Sequence, residues 1–421
     1  MKNSFNIERT LSPKFQNEIN VSIVFNYLRE KGPISRSKMS RALGLSAPTV
    51  SRAINFLEKG GYISEAGQQK TSVGRRPTLL KINNEGYVIG VDLGKRNIKI
   101  ALANFYGDFI SKHIGFETPS NFEVNDEEII KDLSNLIESI IHKSVYEKLV
   151  KPGGLKAICF AVAGAVSIET EKLLDIPLYG NYAKIDFKKV FGDKFKVPIF
   201  VENDVNCSAI GEKASIKNKK INDIIFIEIS RGVGSGIIID NKIFRGVHGT
   251  SGEIGNSIID TKNLNFRIKN KGFLEKYASV EGLVKSVIKK ITGTKKSKIL
   301  DIVGGDVDKI TAKSIFLAAS EGDRIVKNQI KIMVDFISIA ILNLILILDP
   351  QAVVIGGDIC NLPGADYFFL SPIIAKISYL SPFKIPEIRF SLLGEDAGIL
   401  GASLVATESL IWKEFPYIIN F

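Results

Sequence analysis

Apolar residues along this chain follow two different periods, and the change of period marks its organisation. From 15 to 31, Ile19, Ile23, Val24, Tyr27 and Leu28 recur at helical intervals. Gly32-Pro33 ends that helix. Ile34-Ser35 opens a second, with Met39, Ala42 and Leu43 as its apolar face, and Gly44 turns the chain. Ser46 is placed to cap a third helix carrying Val50, Ala53, Ile54 and Leu57 inward. Gly60-Gly61 ends it. Tyr62-Ile63 starts a strand, Leu79 to Ile82 makes the returning strand, and Ser64 to Thr78 is the loop between them. Two short helices, a tight glycine turn and a further helix form a helix-turn-helix, here followed by a wing.

Past residue 83 the pattern becomes one of short buried runs. Tyr87 to Gly94 reads as a strand ending in Asp92-Leu93-Gly94, Asn97 to Asn104 alternates, and Asp108 to Phe116 is a third strand. Asp126 to Lys148 has helical spacing, and Ala157 to Ala163 is a buried strand leading to Gly164. Pro198 to Val201 is another, followed by a small-residue helix from Val205. A second series then begins with Ile224 to Ile229, a glycine-rich turn from Arg231 to Gly236, a strand from Ile237 to Asp240, and a late strand Val353 to Ile355. Two strand-rich halves suggest two α/β lobes flanking a cleft. The most apolar run, Phe336 to Leu348, falls short of the roughly 20 residues that cross a bilayer and reads as a buried helix.

Charge sharpens the division. Residues 1–82 hold 14 Lys+Arg and 5 Asp+Glu, a net of +9, and the rest holds 42 against 40, a net of +2. A basic head on a nearly neutral body is the expected footprint of a nucleic-acid-binding module. The outward residues near the start of the third helix are Ala47, Pro48, Thr49, Ser51, Arg52 and Asn55, with Ser46 at its cap also placed to meet DNA. Small polar groups let a helix sit deep in a major groove, where Arg52 and Asn55 reach base edges or phosphates. Arg75 and Arg76, bounded by Gly74 and Pro77, suit phosphates or a narrow minor groove. Cys159, Cys207 and Cys360 are few and widely spaced, which suggests neither a disulfide framework nor a Cys-rich metal site. With no basic-then-apolar leader, a soluble cytoplasmic protein without membrane contacts is expected.

The candidate chemistry centres on Glu202-Asn203-Asp204 with Asn206, at a strand-to-helix corner of the kind where open α/β sheets bind ligands. Asp204 there can act as a general base, accept a hydrogen bond from a bound hydroxyl, or with Asn203 simply cap the helix. Gly232, Gly234 and Gly236 can present backbone N–H groups to a phosphate or belong to an ordinary hairpin.

Four ordered motifs, Glu202-Asn203-Asp204 with Asn206, Gly232 to Gly236, Gly252-Glu253-Ile254-Gly255, and Gly272 to Ser279, resemble those of the ROK family, which groups sugar kinases with sugar-responsive repressors. The head matches the repressor branch. The resemblance implies an α/β fold with an N-terminal winged helix-turn-helix (1–82) and a two-lobed actin-like body (83–421), lobe one over about 83–204 and lobe two over about 205–406, with a C-terminal segment able to return to lobe one. It also implies a monosaccharide held by Gly164, Asn203, Asp204, Glu253, Asn256 and Glu275. Neutral sugars are held in this way, by acceptor carboxylates and amides.

Two departures from the family pattern matter. Its zinc ligands, one His and three Cys, fall here on Asn256, Phe266, Ile268 and Phe273, so no structural zinc and no other cofactor is expected. His248, nearby, reads as a loop histidine. The first phosphate loop keeps Asp92 and Gly94 but carries Lys95 and Arg96 where the kinases have glycine and a hydroxyl residue, which argues against ATP use and makes the Asp92/Gly94 and Gly232/Gly234/Gly236 turns vestigial. The expected function is therefore a homo-oligomeric repressor of carbohydrate-utilisation genes, a homodimer or dimer of dimers that binds operator DNA and answers to a monosaccharide. No catalytic residue is assigned. The alternatives are an active sugar kinase with Asp204 as base, and a constitutive DNA-binding protein with a dead pocket.

Overall fold

The computed structural model describes residues 13–68, 76–94, 97–117, 126–167, 170, 172–174, 185–218, 220–260, 272–292 and 297–411. In the head, α1 (Pro13–Lys31) is followed by β1 (Ile34–Ser35), α2 (Arg36–Leu43), α3 (Ala47–Lys59), β2 (Ile63–Gln68) and β3 (Thr78–Ile82). Ser46 caps α3, its Oγ accepting from Thr49 N at 3.3 Å. Three details differ from the expectation. Ile34-Ser35 is not the first turn of α2 but a short strand paired with Leu80 and Leu79, so its backbone groups find partners on β3. On α2 only Met39 is buried and Ala42 is exposed, because two helical turns present a single residue squarely to the core. Finally, β2 continues to Gln68. Its ladder with β3 shifts register between Glu65 and Gln68, and with no core beneath this end its polar residues carry no alternation to read.

The body contains two sheets of one design. In lobe one, β4 (Tyr87–Asp92), β5 (Asn97–Ala103), β6 (Phe109–Glu117), β7 (Leu155–Val162) and β8 (Ile199–Asn203) lie in the order β6-β5-β4-β7-β8, with α4 (Asp126–Tyr146) after β6 and α5 (Phe187–Phe195) before β8. Next come α6 (Asp204–Ser215), β9 (Ile224–Ile229), β10 (Val233–Ile239) and β11 (Lys242–Ile243). Helices α7 (Phe273–Ala278), α8 (Val280–Ile291), α9 (Lys298–Ile302), α10 (Ala312–Ser320) and α11 (Arg324–Leu348) lead to β12 (Ala352–Gly356), α12 (Ser371–Leu380), β13 (Glu387–Phe390) and α13 (Ala397–Ile411). The second sheet runs β11-β10-β9-β12-β13. In both sheets the first three strands are antiparallel and the last two join in parallel.

The strands read as unbroken apolar runs because both faces are covered. On β7, Ile158, Phe160 and Val162 point to the core under α4 and α5, while Ala157, Cys159 and Ala161 point to a central core shared by the whole molecule. That central core takes Ile224 and Phe226 from β9 and Val354 from β12, and extends into the head through Val24, Phe25, Leu28 and Ile54. Helices α6 and α13 fill its middle. Only glycine fits where they cross: a Cβ on Gly401 would stand 1.7 Å from Cys207 O, and one on Gly211 2.2 Å from Ala397 O.

Helix α11 is longer and less enclosed than its apolar run suggested. Its 25 residues are long and apolar enough to cross a membrane. It instead lays Met333, Val334, Ile337, Ile341 and Ile345 into the core of lobe two and leaves Ile339, Leu346 and Ile347 exposed.

Candidate functional site

The polar corner forms where β8 ends and α6 begins. Asn203 is the N-cap, its Oδ1 accepting from Asn206 N at 2.9 Å, while its Nδ2 donates to Gly164 O at 3.0 Å. Part of this side chain is therefore structural; one amide hydrogen and one lone pair are left over from these two bonds. Asp204, almost buried, accepts from Val205 N at 2.9 Å. Gly94 lies directly on it: a Cβ there would stand 1.8 Å from Asp204 Oδ2. Gly94 N in turn donates to Asp92 Oδ1 at 3.0 Å. Asp92, Gly94, Gly164, Asn203 and Asp204 thus converge at the carboxyl ends of β4, β7 and β8.

Glu202, one residue earlier, holds the corner together. Its Oε1 accepts from Asn203 N at 2.9 Å and Asn206 Nδ2 at 3.0 Å, and its Oε2 accepts from Arg245 Nε at 2.9 Å and from Arg245 Nη2. Both partners are about nine-tenths buried or more, so their charges compensate each other in a dry place. Arg245 follows β11 of the second sheet, and the pair therefore joins the two lobes beneath the corner. Arg245 is not among the residues expected from the sequence. Its only sequence signal was a lone arginine in a loop.

The second group belongs to lobe two. Glu275 Oε2 accepts from Val233 N at 3.2 Å and lies over Gly232, where a Cβ would stand 2.5 Å from it. Glu253 precedes a 3-10 turn, Ile254–Asn256, and Asn256 Nδ2 donates to Glu253 Oε2 at 3.4 Å. Gly272 packs against Gly255 O and Asn256 Oδ1, which brings Glu253, Asn256 and Glu275 together. Strand β10 links this group to the corner. Gly234 and Gly236 are not part of a turn, as the sequence suggested, but stand inside β10 opposite Glu228 and Phe226. They are small because α6 lies on them: a Cβ at Gly236 would meet Ala209 Cβ at 2.5 Å and Val205 O at 2.8 Å. Packing explains these glycines without a phosphate. Of the positions where the family resemblance implies zinc ligands, Phe273 is fully buried beside Tyr277 and Phe336, while Phe266 and Ile268 lie outside the described residues. Lys95 and Arg96 lie outside them too.

In the head, Pro48, Arg52 and Asn55 are exposed on α3, with Ser46 exposed at its cap and Thr49 and Ser51 half-buried. Asn55 Oδ1 accepts from Arg36 Nη1 at 3.4 Å, and Arg36 also pairs with Glu58 at 3.1 Å. Arg76 is exposed, while Arg75 lies outside the described residues. The head meets the body on α13. Arg29 of α1 pairs with Glu408 at 3.0 Å with both side chains buried, and Phe105 of lobe one takes Phe25 and Tyr62 edge-on at 6.4 and 5.7 Å. Burial pushes the Glu408 carboxyl above the usual range, and Arg29 only partly offsets it.

The sequence pattern of the ROK family matches residues 88–409, and a winged helix-turn-helix DNA-binding pattern matches 19–64. The chain belongs to the ROK family. A xylose repressor of Caldicellulosiruptor bescii is 33% identical over 402 residues, 94% of this chain and 98% of the relative. The Bacillus subtilis xylose repressor is 31% identical over 401 residues, 94% and 97% of the two chains. Among solved structures, a ROK family transcriptional regulator homologous to the Escherichia coli MLC protein superposes with a TM-score of 0.77 over 96% of this chain and all of its own, at 24% identity. A ROK glucokinase from Streptomyces griseus, solved with glucose and AMPPNP, gives 0.63 over 76% of this chain and 99% of its own, at 25% identity.

Proposed function

We propose that this ROK protein is a sugar-responsive transcriptional repressor of carbohydrate-utilisation genes, acting in the cytoplasm and without kinase activity. The observation that carries the reading is the union, in one chain, of a DNA-binding head and a ROK body along the near-full length of two xylose repressors. A pentose is accordingly the first effector to test. Gly164, Asn203 and Asp204 on one side and Glu253, Asn256 and Glu275 on the other supply the amides and carboxylates that sugar hydroxyls require. Ser46, Pro48, Thr49, Ser51, Arg52 and Asn55 face operator DNA, with Arg75 and Arg76 on the wing.

The path between the two ligands runs through α13. This helix crosses α6, whose first residue is Asp204, and holds α1 through the buried Arg29–Glu408 pair. A sugar that changes the lobe angle moves α6 against α13, and with it the head. In a homodimer that motion alters the spacing of two heads on the DNA. The exposed apolar strip of Ile339, Leu346 and Ile347 on α11, with Tyr379 on α12, supports association of two copies. The test is displacement of the protein from the promoter fragment beside its own gene by a panel of sugars, xylose first. No displacement and no enhancement by any sugar would overturn the effector reading.

The second reading, a working sugar kinase with a DNA-binding head, is favoured by Asp204 lying against Gly94 at the strand ends. An assay of sugar-dependent ADP release separates the two.

A further inference from the structure

A groove of about 610 Å³ runs between α1 and α3. One wall is Gln16, Asn17 and Asn20; the other is Arg52, Phe56 and Lys59, and none of the groove's lining residues is a carboxylate. Folding does not ask for this chemistry on α1. The core of the head takes Val21, Val24, Phe25 and Leu28, and asparagine is a poor helix former whose amide competes with the backbone. Three carboxamides within five residues, facing two cations across a groove, form a donor-rich channel. We infer that α1 is a second wall of the DNA interface, and that this groove takes the sugar-phosphate backbone of the duplex whose bases α3 faces. The inference rests on the repressor reading.

The geometry suits that occupant. From Thr49 to Lys59 the wall is about 15 Å long at about 1.5 Å per residue, enough to follow successive phosphates. Amide N–H groups donate to phosphate oxygens, and Lys59 supplies the counter-charge. Phe56, 39% exposed, offers a flat apolar face at deoxyribose height. The winged helix-turn-helix pattern begins at residue 19, after Gln16 and Asn17, so it assigns them nothing.

The test exploits the difference between amides and cations. Full-length Asn17→Ala/Asn20→Ala and Lys59→Ala variants are titrated with the promoter fragment and with a scrambled duplex of equal length over a range of salt. The amide variant should bind both duplexes more weakly by the same factor, about 100-fold or more for two hydrogen bonds to charged phosphate oxygens, with an unchanged salt slope because the amides are neutral and displace no counterion. Lys59→Ala should flatten the slope by about 0.9 on both. Alanine strengthens the helix, so loss of folding is not expected, and an unchanged thermal midpoint checks it. Unchanged affinity in the amide variant, or a loss confined to the promoter fragment, overturns the backbone groove. A wild-type protein that binds neither duplex overturns the repressor reading instead.

Discussion

In the proposed pocket, sugar recognition should depend most on Asp204 and Glu253. Each is a carboxylate that already accepts a hydrogen bond, Asp204 from Val205 N and Glu253 from Asn256 Nδ2, and can accept another from a sugar hydroxyl. Asp204→Asn and Glu253→Gln should each weaken sugar binding by roughly 1.5–3 kcal/mol, as for hydrogen bonds to charged groups, and leave DNA affinity intact. Calorimetry with the effector checks this, and a variant with wild-type sugar affinity would remove its residue from the pocket. Glu408 makes a different prediction. Its folded pKa is raised, so the unfolded chain gives up the proton first. Its stabilising contribution is full below the ordinary glutamate value of about 4.3 and is lost as pH rises through the higher folded value. Glu408→Gln should remove that part of the pH dependence of the melting temperature, on a curve lowered at every pH because Arg29 loses its counter-charge. An identical slope in variant and parent would place the dependence elsewhere.

Among the elements, those with a clear period were legible and those defined by contacts were not. The head helices, the strands of lobe one, β9, β12 and the corner at Asp204 followed from apolar spacing and from polar residues at a strand end, whereas the short β11 and β13 were not read. Residue types alone could not distinguish a glycine that turns from one that yields space, so Gly234 and Gly236 read as a loop although α6 lies on them within β10. Arg245 and Glu408 were invisible for a related reason: each is defined by a partner far away in sequence. The crossing of α6 and α13 is testable in the same terms. Gly401→Ala forces a methyl toward Cys207 O and should destabilise by about 1–3 kcal/mol or more, as overpacking of a filled core does. Urea denaturation measures it, and a neutral result would mean that the helices can separate freely. On the wing, Arg75→Ala/Arg76→Ala should weaken binding to all DNA and flatten the salt slope by up to about 2, whereas Arg52→Ala should relax preference at particular base pairs by roughly 1–3 kcal/mol. A double wing variant with the parental slope would mean that the wing does not reach phosphate.

At the scale of the molecule, a sugar in the proposed cleft would be felt by a head packed against α13. The central core is continuous from Leu28 of the head through Phe105 to Leu404 and Cys207, so the head rests on the same helix that crosses α6. Coupling through such a contact is reciprocal: if sugar changes DNA affinity by some factor, DNA changes sugar affinity by the same factor. The Arg29–Glu408 pair is where that coupling can be cut. Removing one partner alone strands a buried charge, at roughly 3–5 kcal/mol, and would confuse uncoupling with unfolding. Replacing both, Arg29→Met with Glu408→Leu, keeps volume and burial and should leave stability near the parent's. The double variant should bind sugar and DNA each about as tightly as the parent does alone, while the effect of each on the other shrinks toward none. Titrating sugar with and without DNA, and DNA with and without sugar, gives two values of one factor. Their agreement checks the measurement. A double variant that keeps the full parental factor would show that the signal reaches the head by a route other than Arg29–Glu408, leaving the Phe25–Phe105–Tyr62 contact to carry it.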